Sequence, residues 1–296
     1  PMQGPMQGPM QGPMQGPMQQ LLPNFQIPFQ SDNKQINQPV MQGGNYNKTK
    51  NKTKRDKFDY PYVHGSNIEV KDEAGKEYDT EALKKAIMVR PKKILGQNDK
   101  MQHSENDLEA IYDIGLPALK GLAVNEKTGE FVIVDTCPGA GACQTYCYAM
   151  KGGYVQWKAS SMAQTRVLNF LLNDPEGFKS MMEHELGQAE RKYGKKGTKV
   201  VVRWHDAGDF FSDRYRNMFF DVVKQFPDIE FYAYTKLAKG ATGSYPDNFT
   251  INFSQGAHPT QQKQVDTKKY KHSAVVAKEL FSDLVKRVEI KDEDGK

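Results

Sequence analysis

The chain has 296 residues, with 41 lysines and arginines against 36 aspartates and glutamates, a net charge of +5. That surplus is local: Asn47–Lys57 holds six cations and one anion, which leaves 35 of each sign elsewhere and excludes a basic body built to wrap nucleic acid. No stretch approaches the roughly 18 apolar residues of a membrane helix, and no charged-then-apolar secretory layout is found, so membrane partners are not expected.

In chain order, the tetrapeptide Pro1-Met2-Gln3-Gly4 recurs from Pro5, Pro9 and Pro13, with a worn copy at Pro17. Units rich in Pro and Gly build neither helix nor ladder, and a period of four does not meet the collagen requirement. Residues 1–57 are therefore expected to be a disordered, low-complexity tail ending in the basic run, either simply solvated or making a weak nucleic-acid contact through 47–57. From Phe58 the composition turns globular. Residues 58–125 are read as an N-terminal accessory region and 126–296 as the α/β core.

Within the accessory region, Ile68–Tyr78 suggests a hairpin and Glu81–Val89 a short helix ended before Pro91. Glu130–Val134 is a predicted strand that runs into a cysteine loop. Ala159–Leu172 and Glu176–Tyr193 have helical periodicity, broken at Asn173-Asp174-Pro175. Lys199–Trp204 is a near-continuous apolar run, as expected of a strand buried on both faces. Ser212 caps a helix whose Tyr215, Met218, Phe219, Val222, Val223 and Phe226 form one stripe, and whose aromatic rings are therefore core. Strands at Ile229–Tyr234 and Phe249–Phe253 and a helix at Ser273–Val288 complete the pattern. Alternating strands and helices imply an α/β fold with a parallel sheet, closed as a barrel or partial barrel.

All three cysteines lie within Cys137–Cys147, spaced Cys-x5-Cys-x3-Cys with Pro, Gly and Ala between the first two. An odd count argues against a disulfide scaffold. A loop that folds back on itself can aim three thiolates at one centre, which suits a [4Fe-4S] cluster with one iron open, or zinc with a fourth ligand such as His205. The alternative is three unrelated thiols, or a disulfide and a spare.

Three blocks carry a family resemblance. Thr136-Cys137-Pro138-Gly139-Ala140 through Cys147-Tyr148-Ala149 and Lys151-Gly152-Gly153-Tyr154 is the first. Arg203-Trp204-His205-Asp206-Ala207-Gly208-Asp209-Phe210-Phe211-Ser212 is the second, and Phe231-Tyr232-Ala233-Tyr234-Thr235-Lys236 the third. In this order they resemble the gene product 88 family, found mostly in bacteriophages and mobile elements, which implies the cytoplasm of a bacterial host. The cysteine loop after a strand and ahead of β/α units is also similar to radical S-adenosylmethionine enzymes, where three cysteines hold a four-iron cluster whose open iron binds the cofactor. Tyr146 before the last cysteine fits that pattern, whereas the spacing departs from their usual Cys-x3-Cys-x2-Cys.

Chemistry in parallel α/β folds collects where strands finish. The strand ends here deliver Asp135 and the cysteine loop, then His205, Asp206 and Asp209 around Gly208, then Tyr234, Thr235 and Lys236, and then Asn252, Ser254 and Gln255. His205, Asp206, Asp209 and Lys236 are the candidate catalytic set. Tyr146, Tyr148, Gly152, Gly153, Thr235, Asn252 and Ser254 are the candidate cofactor contacts. Simpler roles exist for several: Asp209 as a turn cap, His205 as a hydrogen-bonded core histidine, Arg203 in a buried ion pair, Lys236 as surface charge. The leading expectation is a phage-type iron–sulfur protein of the radical S-adenosylmethionine kind, acting on an unknown small molecule or macromolecule. The rivals are a zinc-stabilised binding protein whose basic tail touches nucleic acid, and a virion or host-interaction protein without activity.

Overall fold

The computed structural model describes residues 63–64, 79–97, 109–150 and 158–273. The tail 1–57, the expected hairpin at 68–78, Gly152, Gly153 and all but the first residue of the expected C-terminal helix lie outside these residues.

Among the described residues, two sheets are built from eight strands: β1 (Val63–His64), β2 (Glu109–Ile114), β3 (Lys120–Val124), β4 (Phe131–Asp135), β5 (Lys199–Trp204), β6 (Glu230–Thr235), β7 (Phe249–Ser254) and β8 (His272–Ser273). The helices are α1 (Thr80–Ile87), α2 (Lys158–Asn173), α3 (Pro175–Gly194), α4 (Asp213–Val223), α5 (Ala238–Thr242) and α6 (Pro259–Gln262). Strands β2-β5-β6-β7-β8 form a parallel sheet, in that order. Strands β1-β4-β3 form a second sheet that is antiparallel.

The strand leading into the cysteine loop therefore belongs to the antiparallel sheet and not, as expected, to the parallel series. Residues 125–130 between β3 and β4 close a tight turn, with Asn125 N–H donating to Glu130 C=O at 2.9 Å, too short for the crossover that parallel pairing demands. The expected boundary at 125/126 falls inside this turn. Strand β2, from before it, pairs with β5, from after it, over Glu109–Ile114 against Lys199–Trp204.

Caps set the helix starts. Asp79 accepts from Ala82 N at 3.0 Å, Asp174 from Gly177 N at 2.9 Å with Pro175 in the first turn, and Ser212 from Tyr215 N at 3.1 Å. The break read at Asn173-Asp174-Pro175 is the junction of α2 and α3. Helix α2 also covers the free edge of β3. Asn169 accepts from Val124 N at 2.9 Å and donates to Leu122 O at 3.1 Å, while Asn173 accepts from Glu126 N at 3.1 Å and donates to Val124 O at 3.0 Å. These two amides, one helical turn apart, satisfy backbone groups that an open strand edge would leave available for another chain.

Burial alternates along β5, β6 and β7, correcting the expectation that Lys199–Trp204 is buried on both sides. One face, with Val200, Val202, Trp204, Phe231, Ala233, Phe249, Ile251 and Phe253, packs into the main core with Tyr215 and Phe219 of α4. The other face carries Val201, Arg203, Tyr232, Tyr234, Thr250, Asn252 and Ser254, all half-buried or exposed. Parallel sheets ordinarily bury both faces in apolar contacts, so a polar and aromatic second face marks this side as the one that meets a ligand or solvent.

Candidate functional site

The cysteine loop lies across the carboxyl ends of the parallel strands. After β4, Thr136 is buried and donates its hydroxyl to Pro117 O at 2.6 Å, and Cys137 follows. The Cys137 sulfur accepts the Leu119 N–H at 3.3 Å, and Leu119 has a left-handed backbone, φ 60°. The loop then reaches the turn after β7. Gly141 N and Cys143 N both donate to Gly256 O at 3.2 Å, and His258 N donates to Gly139 O at 2.8 Å. The approach is close enough to exclude side chains: a Cβ at Gly139 would stand 2.4 Å from Lys236 O, and one at Gly141 2.5 Å from the Ala257 backbone. Gly256, at φ +80°, would set a Cβ 2.5 Å from the Tyr146 hydroxyl. Glycine is required at Gly139 and Gly141 because two backbones meet there, and at Gly256 because its φ lies in the left-handed region.

The loop continues through two short 3₁₀ turns, Ala142–Tyr146 and Tyr148–Met150, to the end of β5. There Tyr148, 56% exposed, donates its hydroxyl to Asp206 O and receives Arg203 Nη2 at 3.5 Å. Arg203 also lies 5.6 Å from the Tyr234 ring centre. The three cysteines are half-buried and unbridged.

Beneath the loop, Asp209 joins two strand ends. Its buried carboxylate accepts from Phe210 N at 2.7 Å, the Thr235 hydroxyl at 2.8 Å and Lys236 N at 2.8 Å. It thus does more than cap its own turn. Burial pushes its acidity toward the neutral form, and those three bonds oppose the shift. Lys236 extends Nζ to Ser254 Oγ at 2.6 Å and to Gln255 O at 3.2 Å, tying β6 to β7. Asp209, Thr235, Lys236 and Ser254 are therefore one continuous polar chain. Cys137 adjoins it: burial first, then the Asp209 carboxylate, raises the thiol's pKa, with Cys147 and Asp135 adding in the same direction.

His205 stands apart. It has φ 66°, is 3% exposed, and packs against Phe210 at 4.6 Å and Tyr215 at 5.6 Å between ring centres. Its Nε2 pairs with the Tyr215 hydroxyl at 2.9 Å, which also accepts Trp204 Nε1 at 3.0 Å, and its buried Nδ1 has no hydrogen-bond partner among the described residues. Burial lowers its pKa to about 3, so the ring is neutral. Asp206 faces the opposite way: its Oδ1 is 2.2 Å from where a Gly115 Cβ would sit, and the same Cβ would meet Gln164. Asn252 pairs in register with Tyr234 on the half-buried face.

The structure thus gathers Asp209, Thr235, Lys236 and Ser254 with Cys137, brings Cys143 and Tyr146 to Gly256, and brings Tyr148 to Asp206. Leu119, Gly256 and Tyr215 were not foreseen as parts of the site. Two of them contribute backbone groups that carry no side-chain signal, and the third sits on a helical stripe that already accounted for it.

As donors, three unbridged thiols on one loop fit a thiolate-held cluster in type and number, and Cys147 lies near enough to Cys137 to disfavour its ionisation. They are not a closed cage: among the described residues no group of three His, Cys, Asp or Glu side chains is placed to hold a metal ion.

Fold and site together define a mixed α/β protein whose cysteine loop is docked by glycines onto the ends of a parallel sheet. The gene product 88 family model matches residues 90–291, about two-thirds of the chain, and the protein belongs to that family. No curated protein and no solved structure matches it. Among the described residues no helix is long and apolar enough to cross a membrane.

Proposed function

We propose that the chain is a phage-type iron–sulfur protein in which Cys137, Cys143 and Cys147 hold a four-iron cluster, and that it acts as an enzyme of the radical S-adenosylmethionine kind. The observation that carries this reading is the docking of the loop: Gly141 and Cys143 are bonded to Gly256 O, so the thiols stand over the strand ends, where α/β enzymes keep their chemistry. The strands β5 to β8 are added to the sheet in one direction without reversal, which supports reading it as an incomplete barrel.

When bound, a cluster of this type would supply one-electron reducing chemistry toward a sulfonium cofactor. The chain's own contribution is placement. Cys137, Cys143 and Cys147 would hold the cluster as thiolates, and burial together with the Asp209 carboxylate opposes ionisation of Cys137 in the chain itself. Tyr146, Tyr148, Thr235, Asn252 and Ser254 are the proposed contacts for S-adenosylmethionine; Asp206 O holds Tyr148, Asp209 holds the buried Thr235 and Lys236 holds Ser254.

A zinc site of the same cysteines with His205, in a binding protein without catalysis, has less support. The His205 ring is enclosed by Phe210 and Tyr215, and its Nε2 is engaged. Anaerobic purification of the full chain, with metal analysis and a visible spectrum, tests the two readings. We expect a brown protein with about four irons per chain, lost when any one of the three cysteines is changed to alanine. A colourless protein with one zinc overturns the cluster.

A further inference from the structure

Each cysteine of the loop has a different anchorage. Cys137 is held through its own sulfur, which takes the Leu119 N–H at 3.3 Å. Cys143 is held through its own backbone, whose N–H reaches Gly256 O at 3.2 Å. Cys147 follows the first 3₁₀ turn at φ −54° and ψ 117°, and its carbonyl accepts from Met150 N at 3.1 Å, a contact inside the loop. Among the described residues no hydrogen bond joins Cys147 itself to another element. The next residue supplies one: the Tyr148 hydroxyl donates to Asp206 O and accepts from Arg203 Nη2 at 3.5 Å. Asp206 N is in turn bonded to Ile114 O at 2.9 Å, so the acceptor belongs to the β2–β5 frame rather than to a loose loop.

We propose that Tyr148 is the positioning residue for Cys147. Its phenol closes the third anchorage, onto the end of β5, and fixes the backbone that carries the last thiol. The consequence for iron binding rests on the cluster reading; the placement of Cys147 does not. Phenylalanine at 148 would keep the ring and lose both bonds, freeing the backbone at Cys147 while the anchorages of Cys137 and Cys143 persist.

The test is Tyr148→Phe in the full chain, with two readouts. In iron-free protein, residue-resolved labelling by iodoacetamide should quicken at Cys147 by about fivefold, the change expected when one net hydrogen bond no longer opposes opening, with Cys137 and Cys143 unchanged. After anaerobic reconstitution, the variant should take up less iron than wild type, or hold it with an altered electron paramagnetic resonance signature, at an unchanged melting temperature. Should wild type bind no iron, the cluster reading fails, and the labelling pattern alone decides whether Tyr148 positions Cys147. Equal labelling of Cys147 in variant and wild type overturns the proposal. So does an equal acceleration at all three cysteines with a lowered melting temperature, which would show general loosening.

Discussion

The Thr235 hydroxyl donates to the buried carboxylate of Asp209 at 2.8 Å, joining the turn after β5 to the end of β6 across 26 residues of sequence. The same carboxylate takes the Lys236 N–H, and Lys236 passes the connection to Ser254 at the end of β7. One side chain thus aligns three strand ends under the loop. Asp209→Ala should leave the buried Phe210 and Thr235 donors without an acceptor, at a cost of about 2–4 kcal/mol. Denaturant unfolding of the two proteins checks this, and an effect below about 0.5 kcal/mol would show that water replaces the carboxylate.

Asp209 and His205 should impose opposite pH dependences. Burial raises the Asp209 pKa in the folded protein, so the folded state holds the proton longer and the penalty for ionising grows as pH rises above 3.8. Burial lowers that of His205 from 6.5 to about 3, so the unfolded chain binds the proton first and stability falls as pH drops below the unfolded value. His205→Asn suits the left-handed backbone and removes that titration. Relative to wild type, its melting temperature should show a weaker decline between about pH 6.5 and pH 4.5; parallel curves would mean that His205 is reached by solvent.

The Tyr215 hydroxyl is the shared partner of His205 and Trp204. Tyr215→Phe should cost about 2–3 kcal/mol, because two buried nitrogens, Trp204 Nε1 and His205 Nε2, lose this hydrogen-bond partner while the packing volume is kept. Near-ultraviolet circular dichroism of Trp204 provides a local readout beside the unfolding curve.

Gly256→Ala should disturb the loop more than the sheet. The residue has φ +80°, and an added Cβ would displace the Tyr146 hydroxyl, so a cost of about 1–2 kcal/mol is expected from the backbone alone. Because Cys143 N donates to Gly256 O, labelling should rise at Cys143 first. An unchanged thiol profile would mean that the loop docks through its other contacts.

Much of the frame was legible from local pattern. The stripe Tyr215, Phe219, Val222 and Val223 is buried in α4, Ser212 caps that helix, and Asn173-Asp174-Pro175 separates two helices, since caps and periodicity depend on residues a few positions apart. Strands β2 and β3 escaped notice. The burial of β2 does not alternate, and β3 is buried at Gly121, Leu122, Ala123 and Val124 without a break, so neither presents a period of two.

The amino-acid sequence by itself determined that three cysteines share one loop, that polar residues end the apolar strands, and that this is an α/β chain of the gene product 88 family. Only the tertiary structure decided that β4 pairs antiparallel with β3, that His205 turns into an aromatic pocket, and that the loop rests on Gly256 and Asp206. The reason is physical. Those outcomes depend on backbone donors and acceptors up to 119 residues apart, as between Gly139 and His258, and nearly every residue carries such groups alike.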